Sequence, residues 1–132
     1  MASLLVVDDE PGVLYALEKG LRCDTLEVIT ASTAKQGIEL VQRRHPDAVI
    51  LDVRLTDMSG LEAFDEIRRI DPRLPVLFIT AYATTETAIE AMKRGALEYL
   101  LKPVDLHQLR AAVGKAITVS RLRHVAPEMI ID

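Results

Sequence analysis

The chain has 132 residues, enough for one domain, and nearly half are hydrophobic, enough for a core without disulfide or metal staples. Its net charge of -4 speaks against a nucleic-acid-binding domain, which carries a basic face. The single cysteine, Cys23, excludes an intrachain disulfide and a cysteine metal cluster, and no apolar run approaches the roughly 20 residues of a membrane span.

Residues 4–7 are apolar at every position and stop at Asp8-Asp9, the pattern of a strand buried on both faces. Pro11 opens a helix where its missing N–H costs nothing. Val13, Leu14, Leu17 and Leu21 carry that helix to about Arg22. Leu26–Ala31 is a second, weaker strand. Ser32 or Thr33 can cap the next helix, Thr33 and Gln36 having the capping-box form, with Ile38, Leu40 and Val41 inward; His45-Pro46-Asp47 ends it. Residues 48–51 form a third apolar strand, which ends at Asp52. A loop through Asp57 leads to Ser59 and Glu62, a second capping box, and a helix with Leu61, Phe64, Ile67 and Ile70. Asp71-Pro72 stops it. Pro75 introduces a fourth strand over residues 76–79, ending at Thr80. Thr84 caps a helix with Ala88, Ile89 and Met92, and Gly95 is placed to close it in the left-handed conformation. Glu98–Leu101 is a fifth strand, followed by Lys102-Pro103. Asp105 caps a last helix through Leu106, Leu109, Val113, Ala116 and Ile117. Residues 1–120 read as one domain and 121–132 as the start of a linker.

Strands alternating with helices five times, with short connections, imply a parallel sheet with right-handed crossovers. The expected architecture is α/β: a flavodoxin-like, doubly wound (βα)5 sandwich with strand order 2-1-3-4-5. In such sheets, sites form beyond the carboxyl ends of the strands. Those ends deliver Asp8 and Asp9, Asp52, Thr80 and Lys102 to one rim.

Singly, each residue has a plain explanation. An aspartate after a strand is most often a cap or turn residue, a threonine there a cap, and Lys-Pro a loop. Together they are harder to dismiss. Three carboxylates in one small space repel, and a hard divalent cation with oxygen ligands, such as Mg²⁺, relieves the repulsion. Mg²⁺ keeps several waters and favours phosphate oxygens, so the pattern points to phosphoryl chemistry. Asp52 is then the nucleophile that forms an aspartyl-phosphate. Asp9 binds the metal directly, Asp8 binds it through water, and the Arg54 backbone carbonyl completes the coordination. Lys102 pairs with a phosphate oxygen and Thr80 donates a hydroxyl hydrogen bond. His45, His107 and His124 fall on a helix end, a helix and the tail. With no acid/base group at the rim, the site is suited to accept and hold a phosphoryl group.

Residues 3–120 resemble the receiver domains of two-component response regulators. The resemblance is carried by Val6-Val7-Asp8-Asp9-Glu10, Leu51-Asp52, Ile79-Thr80-Ala81 and Leu101-Lys102-Pro103. It implies Asp52 as phosphoacceptor, Asp8 and Asp9 as metal-binding acids, Thr80 as switch hydroxyl and Tyr99 as switch aromatic. It also implies a cis Lys102–Pro103 peptide. The implied partners are a sensor histidine kinase as phosphoryl donor, an effector domain on the same protein and a second copy on phosphorylation. The implied signal is a change in the face formed by the fourth helix, fifth strand and last helix; the domain is not an enzyme, and it works in the cytoplasm. Ala88, Met92, Val104, Leu106, Ala112 and Val113 are candidates for a dimer surface, against the plainer reading that most pack on the sheet. Residues 78–84, followed by residues 88–96, are similar to receivers of sigma-54-dependent transcription activators. Where many members have Pro, this chain has Thr56, and Arg54 and Tyr82 occupy places that resemble the family's rate-tuning positions.

Three rival readings remain. A Mg²⁺-dependent phosphohydrolase of the haloacid-dehalogenase type needs a second Asp two residues after the nucleophile, where this chain has Arg54. A flavin or nucleotide carrier needs a Gly-rich phosphate loop after strand 1, where Asp8-Asp9-Glu10 stands. A degenerate receiver that only docks would not need the complete set Asp8, Asp9, Asp52, Thr80 and Lys102.

Overall fold

In the computed structural model, which describes residues 1–81 and 84–123, strand β1 (Ala2–Val7) lies parallel between β2 (Leu26–Ala31) and β3 (Ala48–Asp52). Strand β4 (Val76–Thr80) extends the sheet from β3, and β5 (Glu98–Leu101) forms the far edge, giving the expected parallel order β2-β1-β3-β4-β5. The helices are α1 (Pro11–Leu21), α2 (Ala34–Arg44), α3 (Gly60–Ile70), α4 (Thr85–Lys93) and α5 (Leu106–Arg123).

Alternate side chains of the central strands feed two cores, as the period of two demands. Leu5, Val49, Leu51 and Phe78 pack with Val41, Phe64, Ile67 and Ala91 from α2, α3 and α4. Leu4, Val6, Ile50 and Ile79 pack with Leu17, Leu21, Leu109 and Ala116 from α1 and α5. Every residue of β3 and β4 is buried, which explains why these strands read as continuous apolar runs. Each large apolar side chain buried in this way contributes about 1.5–3 kcal/mol.

Several sequence expectations shift by a residue or two. β1 starts at Ala2, because Ala2 and Ser3 pair with Leu26 and Glu27 although Ser3 is polar. β3 and β4 include Asp52 and Thr80, which stay in the ladder opposite Ile79 and Leu101. Both residues therefore have their backbones fixed by the sheet.

The helix caps follow the sequence with one change. Thr33 Oγ1 accepts the Gln36 N–H at 3.1 Å, but Gln36 Oε1 takes the amide of Ser32, not that of Thr33. Ser59 and Thr84 cap α3 and α4, and the Asp105 carboxylate accepts the His107 N–H at 2.8 Å. Gly95 has φ +102°, and a Cβ there would meet the Arg68 guanidinium at 2.2 Å. His45 closes α2 in the left-handed region, φ 46°, where the sequence showed only a break.

Helix α5 continues to Arg123, so residues 121–123 of the expected linker are helical. His124, Val125, Pro127 and the rest of the expected linker lie outside the described residues, as does Tyr82. Of the suggested dimer residues, Ala112 and Val113 are buried in the core under α5 and are not on the surface. Met92 is exposed, with Ile89 and Leu101 nearby on the same run of elements. Among the described residues, no helix is long and apolar enough to cross a membrane.

Gly60 begins α3 pressed against the end of β3: a Cβ there would lie 2.2 Å from the Asp52 carbonyl oxygen and 2.7 Å from Val53 Cα. These are backbone atoms and cannot swing away. Gly60→Ala is expected to destabilise the fold by about 2 kcal/mol or more, read from urea denaturation.

Candidate functional site

The chain leaves β1 through Asp8, whose N–H donates to the Ala31 carbonyl at the end of β2. Asp8 Oδ1 then accepts the Glu10 N–H at 2.9 Å, which turns the chain into α1. At the end of β3, Asp52 Oδ1 accepts the Arg54 N–H at 3.1 Å. At the end of β5, the Lys102 N–H donates to the Thr80 carbonyl at 2.9 Å, tying the lysine to the end of β4. The Lys102–Pro103 peptide is cis, as expected.

These backbone positions send four acids and one amine to a common point. Lys102 Nζ lies 2.8 Å from Asp52 Oδ2, 2.7 Å from Asp8 Oδ2 and 2.9 Å from Glu10 Oε1. Asp8, Asp9, Glu10 and Asp52 each present a carboxylate oxygen, all within 4.8 Å of one another. Asp8 is fully buried and Asp52 nearly so, while Asp9 is half-buried and Glu10 exposed. The cluster thus opens from a dry floor to a wet rim.

One ammonium does not neutralise four carboxylates. Burial pushes the Asp8 carboxyl above its ordinary range; the Lys102 ammonium and the Glu10 N–H oppose this, and the Asp52 charge adds to it. For Lys102, burial acts to lower the pKa, but hydrogen bonds to Asp52, Asp8 and Glu10 outweigh it and the pKa rises. The lysine is firmly cationic. Asp8 Oδ2 is buried and accepts no hydrogen bond of good geometry, although Nζ stands close to it off the bonding direction. An anionic cluster of hard oxygen ligands, with one buried oxygen left without a donor, fits a divalent cation.

Thr80 is the last residue of β4 and fully buried. Tyr99 sits on β5 opposite Phe78, two positions before the level of Thr80, with ring centroids 6.2 Å apart. Its hydroxyl is buried without completing a hydrogen bond. Burial pushes the phenol upward; nearby Thr87 opposes this, and the Asp52 charge adds to it.

The structure brings Asp8, Asp9, Asp52 and Lys102 together and places Thr80 beside them through the Lys102 N–H. Arg54 follows β3 directly and pairs across the loop with Ser59. Two participants were not assigned roles from sequence. Glu10 was visible as a third consecutive acid, but its reach to Lys102 depends on how α1 begins. Asp57 read as a loop residue, yet its carboxylate accepts the N–H groups of Ala34 and Lys35 on α2. Nothing local in the sequence signals that pairing.

Five parallel strands, with a lysine-bridged carboxylate cluster that could hold a cation at the carboxyl ends of the central ones, define an α/β domain. The family profile described as "Response regulator receiver domain" matches residues 4–114, and the chain belongs to that family. Receiver domains are regulatory modules, not enzymes in the ordinary sense. Among curated proteins, the chain is 42% identical over 114 residues to the transcriptional regulatory protein ZraR of Escherichia coli O157:H7, covering 86% of this chain and 26% of that protein. It is also 42% identical over 124 residues to the response regulator protein PilR of Pseudomonas aeruginosa, covering 94% of this chain and 27% of that protein. The chain therefore spans about a quarter of the length of these relatives. Among solved structures, a response regulator receiver domain protein from Clostridium thermocellum superposes with TM-score 0.86 at 36% identity, covering 92% of this chain and 98% of that one. NtrX from Brucella abortus superposes with TM-score 0.88 at 31% identity, covering 99% of this chain and 30% of that one.

The direction of the Asp8 shift yields a test. A carboxyl whose folded pKa lies above its unfolded value contributes stability at low pH and loses it as pH rises through the raised pKa. At neutral pH, ionised Asp8 therefore costs the metal-free fold stability. Asp8→Asn, which can still accept the Glu10 N–H, is expected to raise Tm in chelator. It is also expected to lose most of the gain that the native protein shows with divalent cation, about 2.7 kcal/mol at a hundredfold excess over Kd. Paired thermal melts with and without cation check both halves.

Proposed function

We propose that this chain is the phosphoacceptor receiver domain of a two-component response regulator, taking a phosphoryl group from a sensor histidine kinase onto Asp52 with Mg²⁺. The observation that carries this reading is the Asp52 carboxylate: nearly buried, oriented by the Arg54 N–H and by Lys102, and set among three further acids. The domain spans residues 1–120, with a linker beginning at 121.

An Asp52 oxygen attacks phosphorus, the new P–O bond forms as the bond to the donor breaks, and the donor keeps the electron pair. The Arg54 N–H and Lys102 hold the carboxylate in one orientation, so little reorganisation precedes attack. Lys102 then meets the charge that appears on the phosphoryl oxygens. Thr80, next to it at the end of β4, donates its hydroxyl to another of those oxygens. Asp9, Asp52 and the Arg54 carbonyl, with Asp8 through water, would hold Mg²⁺, which would supply positive charge to offset that of the phosphoryl group. The cluster contains no imidazole to activate water, which favours a held phosphoryl group over turnover.

The output reading follows from packing. When Thr80 moves toward the phosphoryl group, Tyr99 adjusts into the space behind it, and the surface of α4, β5 and α5 changes. Tyr99 suits this role because its ring packs beside Phe78 on β4, two positions before Thr80. Ile89, Met92 and Leu101, exposed on that surface, are the apolar contacts of a phosphorylation-dependent homodimer. A groove lined by Val13, Leu17, Pro103, Val104 and Leu106 borders Glu10 and Lys102, and suits a kinase helix presenting its phosphohistidine. The curated relatives are about four times as long, and ZraR and GlrR among them are named transcriptional regulatory proteins, which supports a covalently linked effector domain of the sigma-54 activator type and a cytoplasmic setting.

Incubation with acetyl phosphate and Mg²⁺, followed by intact mass measurement, tests the proposal. The expected outcome is a gain of one phosphoryl group, abolished by Asp52→Ala or by EDTA. An unchanged mass under these conditions contradicts it and favours a domain that only docks.

A further inference from the structure

The loop between β3 and α3 carries Arg54, whose carbonyl belongs to the cation site in the reading above. Its neck is closed by the Arg54–Ser59 bridge and by the Gly60 N–H, which donates to the Val53 carbonyl at 2.6 Å. Near its tip, Asp57 reaches across to α2, where Oδ1 accepts the Ala34 N–H and Oδ2 the Lys35 N–H, each at 2.9 Å. Thr33 takes the next two amides of that turn: its side chain accepts from Gln36 and its carbonyl from Gly37. Each of the first four α2 amides thus has an acceptor, and two of these acceptor atoms come from the distant loop. The Asp57 charge also meets the positive end of the α2 dipole. Burial acts to raise the Asp57 carboxyl, but the N–H groups of Lys35 and Ala34 outweigh it and hold the pKa below the ordinary range.

The base of α2 is itself anchored to the acid pair. Ala31, which ends β2, accepts the Asp8 N–H at 3.1 Å. The Asp57 contact therefore hangs the Arg54 loop on the same framework that fixes Asp8 and Asp9. Thr56 has no ring to lock its backbone, so the tip depends on contacts for its position. A hard cation tolerates little error in ligand placement, and Mg²⁺ less than most.

We infer that Asp57 is a positioning residue for the cation site: by gripping the first turn of α2, it sets where the Arg54 carbonyl stands relative to Asp8, Asp9 and Asp52. This inference rests on the Mg²⁺ reading above. It assigns work to a residue outside the acid cluster that never touches the ion.

The test must separate this role from simple helix capping. Thr33 caps the same turn of α2 without touching the loop, so Thr33→Ala serves as the comparison. Mg²⁺ is titrated into the 132-residue chain by calorimetry, with Tm recorded for each variant. Asp57→Ala is expected to weaken Mg²⁺ binding about tenfold, as loss of a supporting contact does at metal sites. Asp57→Asn, which keeps one acceptor oxygen, is expected to weaken it less and carries the test should the alanine variant not fold. Thr33→Ala is expected to lower Tm with Mg²⁺ affinity unchanged. Native affinity in both Asp57 variants, or an equal loss in Thr33→Ala, overturns the positioning role while leaving the cation site intact. Failure of the native chain to bind Mg²⁺ at all overturns the cation reading, and the role of Asp57 falls with it.

Discussion

One ammonium among carboxylates holds this site together. Lys102 Nζ touches Asp8, Glu10 and Asp52 at 2.7–2.9 Å, and its side chain is only 11% exposed. Two like charges about 4 Å apart repel by about 4 kcal/mol at the effective dielectric of a protein surface. Lys102 offsets part of that repulsion at the floor of the cluster, and one ammonium among four carboxylates leaves a charge balance suited to a divalent cation. In the proposed reading, the same amine also meets the charge of a phosphoryl group.

The fold exists, for functional purposes, to bring strand ends together. Asp52 and Thr80 are the last residues of buried strands, and Lys102 is tied to Thr80 through its own N–H. In the proposed switch, tight packing of the two cores would transmit a displacement at Thr80 instead of absorbing it. Less buried parts are held by polar contacts. Arg94 pairs with Asp65 and Glu90, and Arg68 donates to Pro72 and Gly95 carbonyls, so the C-terminal end of α4 is fastened to α3. Its N-terminal end, near Thr80, contributes exposed Thr85 and Glu86.

Much of this was legible in the sequence, because the signals were local. Apolar runs of four residues ending in a polar residue marked β1, β3 and β4, and alternation of strands with helices implied the parallel order. Strand order then placed Asp8, Asp9, Asp52, Thr80 and Lys102 on one rim without any coordinates. What escaped were contacts made across the fold. Glu10 lies 92 positions from Lys102 in sequence, and Asp57 lies 22–23 positions from the α2 amides it accepts. The left-handed turn at His45 also escaped, since glycine is the usual signal for it and the following Pro46 announced only that the helix stops. Ala112 and Val113 showed why an apolar surface cannot be read from a helical repeat alone: the same spacing serves the core, and there they pack.

The central claim is that the acid cluster and Lys102 together form one phosphoryl and cation pocket. A crystal structure of the chain with Mg²⁺ and beryllofluoride tests it most directly. The account expects the ion at about 2.1 Å from oxygens of Asp9, Asp52 and the Arg54 carbonyl. It also expects the fluoride group bonded to Asp52 with Lys102 and Thr80 on its fluorines. Beryllofluoride bonded elsewhere, or no ion among these acids, contradicts it.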